Sequence, residues 1–181
     1  MRKKIWVIAA AVIVVAGALG IVAFRTLQAQ GRRSPHESVS ATIDGAKVTI
    51  VYGRPYMRGR TIFGGLVPWD VVWCPGADEA TTLEASKEIQ ISTLRIPPGP
   101  HTIWVLPRRD RWTLIVSEEP SGFHTRYDSQ ADMGRVEFPT SPLPAPVEQL
   151  TFAIDPNPAG GGKIAMAWER TEASVPFRVV Q

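Results

Sequence analysis

The chain has 181 residues and a hydrophobic content of 44%, enough for one domain of ordinary size with its own core, plus an appendage. Its net charge of +3 is unevenly distributed: residues 1–33 carry six basic and no acidic side chains, which leaves 14 basic against 17 acidic in residues 34–181. The basic balance belongs to the N-terminal region, so we predict no nucleic-acid partner.

Residues 5–24, IWVIAAAVIVVAGALGIVAF, form an uncharged run of 20 residues directly after Arg2, Lys3 and Lys4. At ~1.5 Å rise per residue, a helix of this length spans roughly 30 Å, the thickness of a bilayer's hydrocarbon core. The run predicts a transmembrane helix within a membrane anchor of residues 1–27. A cleaved signal peptide is the main alternative, but its apolar centre would have only ~7–15 residues.

The charges that flank the apolar run do not by themselves set the orientation of this anchor. Three basic residues precede the apolar run and three follow it, so the positive-inside count is a tie. The short basic head resembles an export signal, which favours an N-terminus inside the cell. We therefore predict a single-pass protein of the cytoplasmic membrane, with a flexible polar linker at residues 28–37 and a soluble domain in the periplasm or outside the cell.

Residues 38–181 predict a single all-β domain, a jelly-roll-like β-sandwich, because they are rich in Val, Ile, Thr and aromatics and regularly interrupted by Gly or Pro. Alternating apolar residues predict strands at 47–52, 88–92 and 163–168. Two hairpins are predicted, at residues 101–117 and 150–168. The four prolines in 138–149 exclude an interior strand there and predict an extended crossing segment.

Residues 51–73, VYGRPYMRGRTIFGGLVPWDVVW, place arginines, glycines and large aromatics between two strand-like runs. One interpretation is structural: an ordered Ω-like loop whose arginines pair with nearby acids and backbone carbonyls while tryptophans plug the end of the sandwich. The other is a ligand site, in which guanidiniums bind a carboxylate or phosphate beside an aromatic wall. The structural interpretation is favoured. The candidate ligand-binding residues are Tyr52, Arg54, Arg58, Arg60, Trp69, Trp73, Asp78 and Glu79.

No catalytic motif accompanies this segment, and we predict neither a metal nor a cofactor. His36, His101 and His124 are scattered, with His36 inside the predicted linker. The spacing of His124, Asp128 and Asp132 would suit a helical turn that presents metal ligands, but a short polar connection is favoured. Cys74 is predicted to be a small buried apolar group.

Several stretches together resemble a bacterial family of exported domains of unknown function, DUF2911. They are the run YGRPYMRGRTIFGGLVPWDVVWCPGADEATTLEASKEIQI, then IPPGPHTIWVLP with WTLIVS, and later RVEF and LTFAI with IAMAWE. The resemblance covers roughly residues 38–180 and implies a β-sandwich without an assigned reaction. The chain departs from the family pattern at Cys74, where a basic residue is more usual, and at Asp78, where Asn is.

Two functions from different classes are consistent with these features. The preferred one is a membrane-tethered extracytoplasmic module that binds or assembles with a partner protein, a glycan or an acidic ligand. The alternative is an envelope hydrolase in the region Tyr52–Thr81. It would use Glu79 as acid or base, with Arg54 and Arg60 steadying a developing anion.

Overall fold

The computed structural model describes residues 34–118 and 125–180. The predicted membrane anchor, the first six residues of the predicted linker and His124 lie outside these residues. Within the described part of the chain, no helix has the length and apolar character needed to cross a membrane. Residues 34–181 form one compact unit.

Within residues 34–118 and 125–180, the domain has ten strands and one short 3₁₀ turn, η1, at Ser129–Ala131. All strand pairs are antiparallel, which confirms the predicted all-β class. The strands are β1 His36–Ile43, β2 Ala46–Gly53, β3 Thr82–Ala85, β4 Ile89–Ile91, β5 Leu94–Ile96, β6 Gly99–Leu106, β7 Thr113–Ser117, β8 Asp132–Glu137, β9 Thr140–Pro156 and β10 Gly162–Val179.

The strands form two sheets, a six-stranded one in the order β1-β2-β3-β6-β7-β8 and a four-stranded one in the order β5-β4-β10-β9. Most neighbours in the larger sheet are also neighbours along the chain, as in a meander. This order differs from the predicted jelly roll, which has eight strands arranged in two Greek keys. Both predicted hairpins are present, as β6–β7 and β9–β10.

β1 begins two residues earlier than the sequence suggests. His36 and Glu37 belong to the predicted linker, yet they pair with Gly53 and Tyr52 of β2. Polar residues can continue an edge strand because its backbone hydrogen bonds do not depend on buried side chains. The turn from β1 to β2 is Asp44-Gly45, and both residues have positive φ, as a two-residue hairpin loop that follows strand twist requires.

A large hydrophobic core contains buried residues of both sheets. The alternation of β2 places Val48, Ile50 and Tyr52 in this core, while Ile164 and Trp168 enter it from β10. A smaller buried layer covers the opposite face of β6 and β7 and contains Cys74, Ala80, Trp104, Leu106 and Ile115. Both faces of β6 are therefore buried, which explains its nearly continuous apolar sequence.

The proline-rich segment is part of β9, a 17-residue edge strand. The prediction that it is not an interior strand is confirmed, but it pairs with β10 instead of crossing between elements. Ser174 donates its backbone N–H to Pro139 O at 2.9 Å, which fixes the local alternation of hydrogen bonds. By that alternation the nitrogen of Pro142 points away from β10, so the pairing loses no donor there.

Candidate functional site

The loop of residues 54–81, between β2 and β3, carries most of the predicted ligand-binding residues. Arg54 ties its beginning to two strands. The guanidinium donates from Nε to Leu150 O at 2.9 Å, from Nη2 to Thr151 Oγ1 at 2.8 Å and from Nη1 to Glu37 Oε2 at 2.6 Å. The forked donors of Arg54 therefore join the loop to β9 and β1, as in the structural interpretation.

Arg58 and Arg60 lie in the turn that follows. Arg60 donates from Nε to Met57 O at 2.9 Å and from Nη2 to Tyr56 O at 2.7 Å, so it closes its own turn. Arg58 has a φ of 51°, and its backbone N–H donates to Glu148 Oε1 at 2.8 Å while its side chain is exposed. Arg54 and Arg60 thus donate to acceptors on different segments, not to one shared position.

The predicted aromatic wall belongs to the core and not to an open site. Tyr52 is buried, its hydroxyl accepts the Phe152 N–H at 3.0 Å, and burial raises the pKa of Tyr52. Trp73 stacks on Trp168 with ring centres 5.9 Å apart. These rings close the end of the core, which the structural interpretation anticipated.

Phe63 is the centre of this aromatic group. Its ring lies 4.5 Å from that of Trp112 and between 6.3 and 6.4 Å from those of Trp69, Trp73 and Trp168. Trp69 is only half-buried, and the Arg109 guanidinium lies over its ring at 5.5 Å. The loop is thereby packed against the turn between β6 and β7.

Two acidic residues of the loop, Glu79 and Asp70, contact residues outside it. Glu79 Oε2 lies 3.2 Å from His36 Nδ1 at the start of β1. Asp70 Oδ1 lies 3.3 Å from Arg108 Nε, and the Asp70 N–H donates to Pro107 O at 2.9 Å. Asp78 is half-buried and has a φ of 69°. Asp78 and Glu79 therefore lie near the start of β1, and Asp70 lies beside the β6–β7 turn.

Two further carboxylates hold the loop, and sequence reasoning missed both. Glu169, at a bulge of β10 with a φ of 55°, accepts the backbone N–H groups of Ile62 at 3.2 Å and Phe63 at 3.4 Å. Glu148 accepts the Arg58 N–H through its side chain. The partners of these carboxylates are 107 and 90 residues away along the chain, so no local pattern marks them.

Cys74 is a buried structural thiol, as predicted. Its sulfur accepts the Thr81 N–H at 3.2 Å and lies 3.9 Å from Ile103 O, to which the thiol donates. Burial raises the pKa of the Cys74 thiol to about 11. A thiol with that pKa is almost wholly protonated at neutral pH and is a poor nucleophile.

Tyr127, Asp132 and Arg135 form a hydrogen-bonded cluster beside β8. Asp132 Oδ2 accepts the Tyr127 hydroxyl at 2.7 Å and Arg135 Nη2 at 2.6 Å. Burial, and then the hydrogen bond to Asp132, raise the pKa of Tyr127 to about 12. Asp128 caps η1 by accepting the Gln130 N–H. No group of three metal-ligating side chains occurs within residues 34–118 and 125–180.

A shallow groove of about 260 Å³ lies where β7 and β8 meet the turn of residues 107–112. We call it the arginine groove. It is lined by Arg108, Arg111, Trp112, Thr113, Arg135, Val136 and Glu137. Arg108 and Arg135 have side chains 44% exposed and Arg111 66%. Arg108 pairs with Asp70 and Arg135 with Asp132, whereas Arg111 has its nearest carboxylate at 3.9 Å.

The arginine groove is not among the predicted sites. The signal for it is the pair Arg108-Arg109 with Arg111, in a turn that the sequence interpreted only as too polar to bury. Arg135 and Glu137 come from a separate strand, and only the pairing of Thr113 with Glu137 and of Ile115 with Arg135 brings them to this turn. The full set could not be assembled without the register of β7 and β8.

The fold and the groove define an all-β domain of two antiparallel sheets with a cationic depression at one end. The model of the family described as a protein of unknown function, DUF2911, matches residues 34–177. The chain belongs to this family, which confirms the resemblance seen in its sequence. The comparisons found no match among curated proteins and none among solved structures.

Proposed function

We propose that the protein is a membrane-anchored extracytoplasmic module that binds an acidic ligand through the arginine groove. In this proposal residues 5–24 cross the cytoplasmic membrane with the N-terminus inside. The domain then lies in the periplasm or outside the cell. The acidic ligand is a carboxylate or phosphate group, free or carried by a partner protein or glycan.

A β-sandwich is the finer description that we propose for the domain. Its support is that residues of both sheets share one buried core. The edges of the sheets also approach each other, β1 beside β9 and β5 beside β8. Where β5 approaches β8, a Cβ atom added to Gly134 would lie 2.6 Å from Leu94 Cδ1, so the sheets are closely packed there.

The observation that carries the proposal is that three arginines line one groove and that one of them, Arg111, is 66% exposed with its nearest carboxylate at 3.9 Å. Planar guanidiniums match the oxygens of carboxylates and phosphates, and several of them around one depression favour a ligand with more than one acceptor oxygen. The loop arginines supply weaker support. Arg54 and Arg60 already donate to protein oxygens, and a ligand would have to displace those hydrogen bonds.

The envelope hydrolase is the weaker alternative, because the arginines that it requires already form hydrogen bonds within the protein. It requires Arg54 and Arg60 to steady an anion beside Glu79, whereas their guanidiniums are engaged with backbone carbonyls. Glu79 lies beside His36, a pair of titratable groups that also suits a simple surface ion pair.

The test is calorimetric titration of the full chain in detergent micelles with inorganic pyrophosphate, a small anion with several acceptor oxygens. We expect Arg111→Gln to weaken binding by about three- to fivefold, because its interaction with the ligand is an exposed ion pair of somewhat less than about 1 kcal/mol. Arg58→Gln is the matched control, because this exposed arginine of the loop is not part of the groove. Absence of pyrophosphate binding, or loss of binding in the control alone, would refute the groove as the site.

A further inference from the structure

Glu137 adds a negative charge to the arginine groove. It lies on β8 two residues after Arg135, and alternate residues of a strand share a face, so the carboxylate and the guanidinium project from the same side. Thr113 of β7 is directly opposite Glu137 in the sheet. All three residues line the groove.

The arginines of the groove differ in how closely a carboxylate approaches their guanidiniums. Arg135 is bound by Asp132, with Nη2 and Nε at 2.6 and 3.0 Å from the same carboxylate oxygen. Arg111 has its nearest carboxylate at 3.9 Å, on Asp110. Arg111 thus retains most of its hydrogen-bonding capacity for a ligand.

Glu137, in contrast, is an exposed carboxylate that forms no ion pair with any residue of 34–118 or 125–180 within 4.0 Å. The arginine groove therefore offers donors for an oxyanion at Arg111 and an acceptor for a cation at Glu137. A ligand that satisfies both ends carries an anion and a cation in one small group.

We propose that the arginine groove binds a phosphate ester that carries a primary ammonium, of which phosphoethanolamine is the simplest. This inference rests on the proposed function and adds the second charge to it. The phosphate accepts hydrogen bonds from Arg111 and Arg108, and the ammonium donates to Glu137. Phosphate is favoured over carboxylate because it has more oxygens to share between two guanidiniums.

This chemistry has two sources, a soluble phosphoethanolamine group or the head group of a phospholipid. The chain enters the domain at His36, which pairs with the last residue of β2. The turn of residues 107–112 contacts the loop that follows β2, so the groove is at this same end of the sheet.

The test compares soluble ligands on the full chain in detergent micelles by calorimetry. Phosphoethanolamine is compared with ethyl phosphate, which has the same phosphate and carbon link but no ammonium. We expect phosphoethanolamine to bind about three- to fivefold more tightly, the upper part of the range of one exposed ion pair. Glu137→Gln removes this preference and leaves ethyl phosphate binding unchanged, while Arg111→Gln weakens both ligands.

Each outcome separates this inference from the proposed function. If both ligands bind equally to the unaltered chain, the role of Glu137 is refuted although the anion site stands. If neither binds, the anion site itself is refuted. Tighter binding of β-alanine, a carboxylate with the same ammonium, would refute the assignment of phosphate.

The source of the ligand is tested in nanodiscs, with the full chain embedded in phosphatidylcholine alone or with phosphatidylethanolamine added. The quaternary ammonium of phosphatidylcholine has no N–H to donate to Glu137. Amide exchange at residues 108–113 slows only with phosphatidylethanolamine if the head group occupies the groove, and Glu137→Gln abolishes the difference. Equal exchange in both nanodiscs would refute the lipid source and leave the soluble ester.

Discussion

Arg54 offers the sharpest test of whether the arginines of the loop are structural. Replacement by Ala removes two partly buried hydrogen bonds, to Leu150 O at 2.9 Å and Thr151 Oγ1 at 2.8 Å. At about 1.5 kcal/mol for each bond from a charged donor, the free energy of unfolding should fall by about 3 kcal/mol. The exposed pair with Glu37 adds less than about 1 kcal/mol.

Arg60→Ala is the matched control. Its two hydrogen bonds are exposed and end on carbonyls three and four residues away, so we expect a loss of only about 0.5 kcal/mol. Arg54→Lys should lie between the two, since it keeps the charge but cannot reach both acceptors with one planar fork.

The measurement is urea unfolding of residues 34–181, which form one compact unit, followed by tryptophan fluorescence. With a slope of about 2 kcal/mol per M, Arg54→Ala should lower the midpoint by about 1.5 M. The reasoning is refuted if Arg54→Ala unfolds within about 0.3 M of the unaltered domain, or if Arg60→Ala is equally costly.

Three further predictions concern the same domain. Because the pKa of Cys74 is raised to about 11 from an ordinary 9.0, its contribution to stability is complete below pH 9 and is lost as pH rises toward 11. Unfolding curves between pH 8 and 11 should thus lose about 2–3 kcal/mol, and a Cys74→Ala domain measured alongside should lose that much less. Glu169→Ala should speed amide exchange at Ile62, with distant strands unchanged; uniform acceleration would mean global destabilisation instead. Gly53→Ala should lower the free energy of unfolding by more than about 3 kcal/mol, measured by thermal or urea unfolding, because its Cβ would overlap the Ala77 carbonyl. Gly59→Ala is the control: its Cβ meets no neighbouring atom, so only the positive φ costs it about 1 kcal/mol. Equal losses in the two variants would contradict this prediction.

The sequence predicts those elements whose pattern is local. The alternation of Val48, Ile50 and Tyr52 marks β2, and two apolar runs around a polar turn mark the hairpin β6–β7. The start of β1 is not visible in the same way, because His36 and Glu37 are polar residues of an edge strand. Hydrophobic periodicity reports burial, and an edge strand is held by backbone hydrogen bonds that leave no such trace.

Contacts between residues far apart in the sequence explain why the predicted site in the loop differs from the arginine groove of the structure. The loop arginines are close together in the sequence, which suggests a shared site. The hydrogen-bond acceptors of Arg54, however, lie on β9, 96 and 97 residues away. The groove joins a turn to a strand through the register of β7 and β8, and its residues are not dense in any one segment. Side chains that pair over such distances are fixed by topology, which single-sequence patterns do not determine.

The prolines of β9 affect how the domain behaves beside other copies of itself. Pro142, Pro144 and Pro146 occupy alternate positions, and Pro142 has its nitrogen on the side away from β10. An incoming strand would find no amide protons at these positions and could not complete a ladder. This edge of β9 is therefore protected against the addition of strands from other copies of the domain. Such addition is the step by which cross-β fibrils grow, so neighbouring copies can lie close together without forming them.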